Sequence, residues 1–485
     1  MAYEAVIGLE CHIQLNTRSK MFCGCPAEFG AEPNSNVCPV CLGLPGALPR
    51  ANRAAIDAAI RLGLALRSEI RRTSVFARKN YFYPDMPKNY QITQYDRPLC
   101  EGGALPVLVD GEERRFELIR VHVEEDTGKS FHPERHGDRR ISRLDFNRAG
   151  VPLLELVTRP VFRKPVECGA FLTVLRRLVR WLGISEGEME KGHLRCDANI
   201  SLRAAGADAF GTKTEIKNLN SIRGVERGLE AEIERQRVVL EQGGTIEQAT
   251  LLYDADRDAL AVMRSKEYAH DYRYFPEPDL PVLIAGEAWL ESARARLPEL
   301  PWACAARLAS QYGLPAYDVA VLTDQRDLAD YYEGCARQGD GKLASNWVMT
   351  EVLRVLKERG WALAEWRRRV PPERMSRFLA RVAAKELPGP LAKQVFAWMI
   401  DEPGDVPELL ERHGVQVRGS AEELRPLIRR VLEENPGPVG QYLGGRAATL
   451  GFLVGQVMKE SGGQAVPQMV QELLRAELES LRGRA

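Results

Sequence analysis

The sequence predicts an α+β protein, with antiparallel strands gathered in its first 290 residues and helices after them. Three observations carry this. Apolar and polar residues alternate with period two over residues 6–16 and 195–202, the mark of half-buried strands. Residues 195–220 read as an antiparallel hairpin, two such strands joined through a loop around Gly206 and Gly211. From about residue 290 the chain becomes rich in Ala, Leu and Arg with few β-branched runs, which is helical texture. A rigid Pro-rich stop at 276–281 and a second linker at 401–404 divide the chain into residues 1–290, 291–403 and 404–485.

Length and composition bound the function. A chain of 485 residues has room for several domains and a large core. Lys plus Arg and Asp plus Glu are equal at 67 each, so bulk charge selects no partner, DNA included, and any nucleic-acid surface must be a local patch. The N-terminus lacks a basic stretch followed by an apolar core, and no run of eighteen apolar residues occurs, so a soluble, cytoplasmic protein without membrane attachment is expected. Ten cysteines are too few and scattered for a disulfide scaffold, and six of them sit singly in apolar or helical contexts.

The hairpin has an unusually polar inner face. Asp197, Asn199 and Ser201 share one side of its first strand, and Lys213, Glu215 and Lys217 share one side of the second. Ser221 then caps a long helix. Acids, carboxamides and lysines converging beside a helix N-terminus make an arrangement able to hold a metal ion and phosphate oxygens.

In the opening strand, Ile7, Leu9, Cys11, Ile13 and Leu15 face a core, while Glu10, His12 and Gln14 face the other way, which brings Glu10 and His12 close enough to share an ion. Cys23 and Cys25, then Cys38 and Cys41, bracket a Gly/Asn/Pro-rich loop. Two short-spaced pairs across a twelve-residue gap fit a tetrahedral four-cysteine site whose filled shell makes a bound Zn2+ structural. Cys11 lies too early, and on a strand, to belong to it.

Residues 50–72 read as an Ala/Leu-rich helix region, and its many arginines read by periodicity as a solvated helix face rather than a phosphate patch. In residues 78–91, cations including Lys79 and Lys88 interleave with Tyr81, Tyr83 and Tyr90, a mixture suited to a nucleotide or a terminal RNA base. A strand from Arg115 through Leu118, Arg120 and Val123 runs into Glu124-Glu125-Asp126, three acids that Mg2+ shared with nucleotide phosphates would neutralise. Gly128-Lys129-Ser130 is not a P-loop, because the first glycine of that motif would fall on Val123. A strand with polar Asp145, Asn147 and Arg148 precedes a turn, with Glu155 beyond it. Pro165 opens an apolar helix that runs through Trp181 and closes at Gly183. Residues 263–275 repeat the theme of cations and tyrosines.

The motifs Gly8-Leu9-Glu10-Cys11-His12, Lys79-Asn80-Tyr81-Phe82-Tyr83-Pro84-Asp85, Glu124-Glu125-Asp126, Arg195-Cys196-Asp197-Ala198-Asn199, Glu215 to Asn220, His270 to Pro276 and the tail signature Gly451 to Lys459 resemble the B subunits of aspartyl/glutamyl-tRNA amidotransferases, over essentially the whole chain and in order. The resemblance implies a cradle domain holding the active site, a helical domain, and a small helical tail contacting tRNA. It implies a glutamine-hydrolysing carbon–nitrogen ligase. ATP phosphorylates the side-chain carboxylate of Glu-tRNA(Gln) or Asp-tRNA(Asn), and ammonia then displaces the phosphate. It implies Glu10, His12, Glu124, Glu125 and Asp197 around Mg2+, and Lys79, Lys88 and Lys217 against phosphate or carboxylate, with Tyr81, Asn199 and Glu215 lining the nucleotide site. Cys11 departs from an apolar residue usual in the family, at a core-facing position. No Ser-Ser pair with a catalytic lysine and no N-terminal cysteine nucleophile is found, so the glutaminase is expected on another chain. The resemblance supplies it as the family's A subunit, joined with a small C subunit in a heterotrimer.

Two rival readings remain at this level. A zinc-stabilised tRNA-binding adaptor without chemistry would tolerate Glu125→Gln or His12→Ala, and phosphoryl transfer to a small carboxylate metabolite would proceed without tRNA.

Overall fold

The computed structural model describes residues 2–131, 142–255, 257–265, 269–337, 339–415, 421–462 and 465–482. It divides into two compact units, residues 1–302 and 303–485. The strands lie in the first with several helices, and the second is helical, so the protein is α+β. No helix among the described residues is long and apolar enough to cross a membrane.

The first unit is built on a mixed ten-stranded sheet. Its centre runs, in spatial order, through Thr214–Leu219, Leu194–Ala204, Tyr3–Gln14, Pro152–Thr158 and Glu112–Glu125, all antiparallel to their neighbours. Ala249–Asp254 joins Thr214–Leu219 in parallel, and Ala259–Ser265 closes that edge. The predicted hairpin is therefore present, and Ser221 Oγ accepts the Gly224 N–H at 3.0 Å to start the helix Ile222–Glu241.

The alternating apolar residues Ile7, Leu9, Cys11 and Ile13 are buried with Val121, Val123, Leu154, Leu156, Ala198 and Ile200. The helices Arg53–Ala65, Pro165–Trp181 and Ile222–Glu241 supply the rest of this core through Ile56, Ile60, Phe171, Leu175, Val225 and Leu229. Burying that layer is what fixes strand register, since a one-residue slip would turn it out to water. Pro165 opens its helix, as expected, and Gly183 beyond the C-terminus takes the left-handed conformation at φ 63° that glycine adopts without strain.

The helix expected over residues 50–72 is shorter. It spans Arg53–Ala65, after which Arg67 turns at φ 58° and Glu69–Ile70 joins the sheet edge. Several cations of this region are engaged within the fold, Arg61 with Asp57 at 3.3 Å, Arg71 with Glu101 at 2.7 Å and Arg78 with Glu277 at 2.8 Å, in keeping with a structural rather than a phosphate-binding role. Gly128-Lys129-Ser130 leads into a short strand, Lys129–Phe131, and not a helix, in keeping with the rejection of a P-loop.

In the second unit Tyr331, Trp366 and Phe378 are fully buried, and Trp366 Nε1 donates to Tyr331 Oη at 2.7 Å. The linker read at 401–404 is pinned: buried Arg374 donates to the carbonyls of Met399, Glu402 and Gly404 at 2.7–2.9 Å. The helices Ala421–Glu434, Thr449–Glu460 and Pro467–Arg482 pack a separate core through Ile428, Leu453, Val457, Leu474 and Leu478.

Candidate active site

The sheet face opposite the helices is polar across five strands. Register sets Glu10 opposite Asp197 on one side, and His12 opposite Glu155 on the other, while Glu155 in turn lies opposite His122. His12 Nε2 lies 3.7 Å from Glu10, 3.6 Å from Glu124 and 3.5 Å from Glu155. Two overlapping ligand sets share this imidazole, Glu10–His12–Asp197 and His12–Glu124–Glu155, each with donor atoms within 4.8 Å of one another. Carboxylate oxygens outnumber the one imidazole, which suits a hard divalent cation.

Neighbouring side chains orient these groups. Thr93 Oγ1 donates to Glu124 at 3.0 Å. Buried His122 stands 3.5 Å from both Glu124 and Glu155, and Arg120 Nε donates to its Nδ1 at 3.3 Å, which assigns the ring hydrogen to Nε2, facing the carboxylates. Lys217 bridges Asp197 at 2.8 Å and Glu215 at 2.9 Å. Lys213 donates to Asn199 at 3.3 Å.

Charge crowding sets the protonation states. Burial alone would push His12 down, but the carboxylates of Glu155, Glu124 and Glu10 raise it to about 9. Burial and the neighbouring Glu155 raise Glu10 to about 7. Against its own burial, Glu155 is held well below the usual carboxylate range by His122, His12 and Lys79.

The face borders a cavity of 420 Å³ lined by Glu10, Glu124, Glu155, Asn199, Glu215, Lys217 and Lys79, with Tyr95, Tyr272 and Tyr274 on its wall. Tyr95 and Tyr274 stack at 4.1 Å, and the Lys79 ammonium sits 4.8 Å from the Tyr272 ring centre. Lys79 has no carboxylate within ion-pair distance among the described residues.

The sequence expectation is corrected at four residues. Glu125 does not join Glu124, because successive strand residues face opposite ways: its carboxylate turns to the other side, pairs with buried Lys88 and accepts the Ile92 N–H at 2.9 Å. Lys88 is thereby withdrawn from any phosphate. Asp126 pairs with Arg195 at 2.8 Å, so the three consecutive acids meet three different environments instead of one cation. Tyr81, half-buried and stacked on Tyr83 at 5.3 Å, is not among the cavity-lining residues; Tyr95, Tyr272 and Tyr274 stand there. Within the tyrosine-rich repeat over 263–275, residues 266–268 lie outside the described residues. Sequence reasoning misses Glu155, His122 and Arg120 as site residues, and only the pairing of separate strands reveals them.

The cysteine pairs come together as expected. Cys23, Cys25, Cys38 and Cys41 hold their sulfurs within 4.8 Å of one another, with Cys38 N–H donating to Cys41 Sγ at 3.2 Å. A hydrogen bond from Cys23, with Lys20 adding its charge, pulls the Cys41 thiol down to about 4. Asp145 and Asn147 accept N–H groups of Asn34 and Asn36 at 3.0 and 2.8 Å, tying the intervening loop to the turn before the Glu155 strand.

A mixed sheet that offers one face of acids, imidazoles and lysines to a cavity defines a catalytic domain, with a helical unit attached. The family model described as GatB/GatE catalytic domain matches residues 5–291, and one described as GatB domain matches residues 330–478. The chain belongs to this GatB/GatE family. It is similar along its length to proteins named as B subunits of aspartyl/glutamyl-tRNA(Asn/Gln) amidotransferase. That of Chlorobium phaeobacteroides (strain BS1) is 48% identical over 480 residues, covering 99% of this chain and 100% of the relative. That of Moorella thermoacetica is 48% identical over 479 residues with the same coverage, and that of Carboxydothermus hydrogenoformans 47% over 480 residues, covering 99% of each.

Proposed function

We propose that this chain is the ATP-using component of a tRNA-dependent amidotransferase that converts Glu-tRNA(Gln), Asp-tRNA(Asn) or both to the amide. The observation that carries the reading is His12 among the carboxylates of Glu10, Glu124 and Glu155 at the edge of a cavity into which Lys79 brings an ammonium. A carboxylate is a poor electrophile, so the side-chain carboxylate of the aminoacyl group first takes the terminal phosphoryl group of ATP, and ammonia then displaces phosphate. Two anions must meet in the first step.

Lys79 and Lys217 bring positive charge to that meeting point. Glu10, His12, Glu124, Glu155 and Asp197 would hold Mg2+, which when bound neutralises phosphate charge. His122 and Thr93 keep the Glu124 carboxylate turned toward the cavity. Tyr95, Tyr272 and Tyr274 offer ring faces to a base. Ammonia comes from a glutaminase partner, the A subunit, and the C subunit completes a heterotrimer; the lettered naming of the relatives supports a multi-chain enzyme. The four-cysteine site takes Zn2+ as a structural clamp. Residues 1–290 act as the catalytic cradle, 291–403 form a helical domain, and the tail from 404 contacts tRNA.

The test is ATP hydrolysis and amide formation by the assembled complex with Glu-tRNA(Gln) and ammonium in place of glutamine. Glu124→Gln is expected to lose both phosphate release and amide. Full activity in that variant would overturn the kinase reading in favour of an adaptor, and turnover without tRNA would point to a small carboxylate substrate.

A further inference from the structure

Lys20 is fully buried. Its ammonium donates to Cys41 Sγ at 3.6 Å and to the Phe146 carbonyl at 3.2 Å, and among the described residues no carboxylate lies within ion-pair distance of it. Removing an ammonium from water is strongly unfavourable unless an anion offsets it, and one carbonyl beside a thiol does not. Arg78, Lys88 and Lys217 in the same unit each face a carboxylate, and Lys79 without one lines the open cavity, so the fully buried Lys20 is the cation to explain.

The four cysteines supply the explanation. Four thiolates around a divalent ion leave the centre dianionic, and a buried cation at one sulfur lowers the cost of holding that charge out of water. We infer that Lys20 is the charge-compensating and positioning residue of the four-cysteine metal centre, donating an N–H···S bond to Cys41 and tying the metal loop to the turn at Phe146.

Other contacts fit this placement. Lys20 N–H donates to the Cys25 carbonyl at 2.9 Å, so main chain and side chain of one residue reach both cysteine pairs. Asn52 Nδ2 donates to the Lys20 carbonyl at 3.2 Å, fixing the backbone from which the side chain leaves. At Gly150 an added Cβ would stand 3.4 Å from the Lys20 stem and 3.5 Å from Cys41, so the turn leading to the Glu155 strand closes over this pair.

The test uses the full chain loaded with Zn2+ or Co2+. Lys20→Met keeps the length of the stem and removes charge and donor. It is expected to lose Zn2+ to a colorimetric chelator about tenfold faster or more, and to move the thiolate-to-cobalt charge-transfer band to lower energy. Lys20→Arg retains charge and donor and is expected to hold Zn2+ near the wild-type rate, so it decides independently if Lys20→Met does not fold. Wild-type metal retention with an unmoved band in Lys20→Met overturns the inference. So does rapid metal loss in Lys20→Arg, which would reduce Lys20 to a packed stem.

Discussion

His12 Nε2 and Glu155 Oε2 stand 3.5 Å apart on neighbouring antiparallel strands, and this pair joins the two halves of the polar face. Without Glu155, His12 would retain Glu10 and Glu124 but lose its nearest acid. Glu155→Gln is expected to lower Mg2+ affinity more than about tenfold, measured by calorimetric titration of the isolated chain, with circular dichroism unchanged.

Adjacent Glu124 and Glu125 should separate into two phenotypes. Glu124→Gln is expected to lose Mg2+ binding while the fold persists. Glu125→Gln leaves Lys88 buried without its anion and is expected to cost about 3 kcal/mol in urea unfolding. Equal phenotypes would contradict the opposite facing of the two side chains.

Proton release should accompany Mg2+ binding. Without metal, His12 is raised to about 9 and Glu10 to about 7, so His12 and much of Glu10 carry protons at neutral pH that a metal must displace. Affinity is expected to climb with pH, by up to about tenfold per unit between pH 7 and 9. Stability of the metal-free chain should run the other way. The folded-state value of His12 is raised, so its contribution is complete below its ordinary value of 6.5 and fades as pH rises through about 9. Thermal unfolding across that window, with and without Mg2+, reads both trends.

Among the described residues Lys79 is held by an aromatic ring and no carboxylate, so Lys79→Met should leave the melting temperature within a few degrees of wild type while lowering kcat for ATP-dependent amidation about a hundredfold. A matching fall in melting temperature would make Lys79 structural.

Stripping the four-cysteine site with a chelator should open its loop to proteases. The cut is expected within residues 26–37, between the two cysteine pairs, and Zn2+ should restore protection.

Much of this site is legible in the sequence because strand periodicity states which residues of one strand share a side. Glu10 with His12, and Asp197 with Asn199, follow from it, as do the hairpin, the Ser221 cap and the helix between Pro165 and Gly183. Periodicity does not state which strands become neighbours, so the approach of Glu155 to His12, and of His122 to Glu155, is invisible before the sheet forms. It also fails across irregularities. The register shifts between Val157 and Thr158, opposite the stretch from Leu118 to Arg120. Leu118 and Val121 are therefore both buried although an odd step separates their positions, and alternation counted from Leu118 would choose the wrong glutamate.

That irregularity acts as a reading frame. Deleting one residue between Leu118 and Val121 would flip the remainder of the strand, sending His122 and Glu124 into the apolar layer and lifting Val123 and Glu125 to the cavity. The chemistry of this face thus depends on a single extra residue, Ile119, that lines no part of the cavity, and a length change there is far more damaging than most substitutions of the same residues.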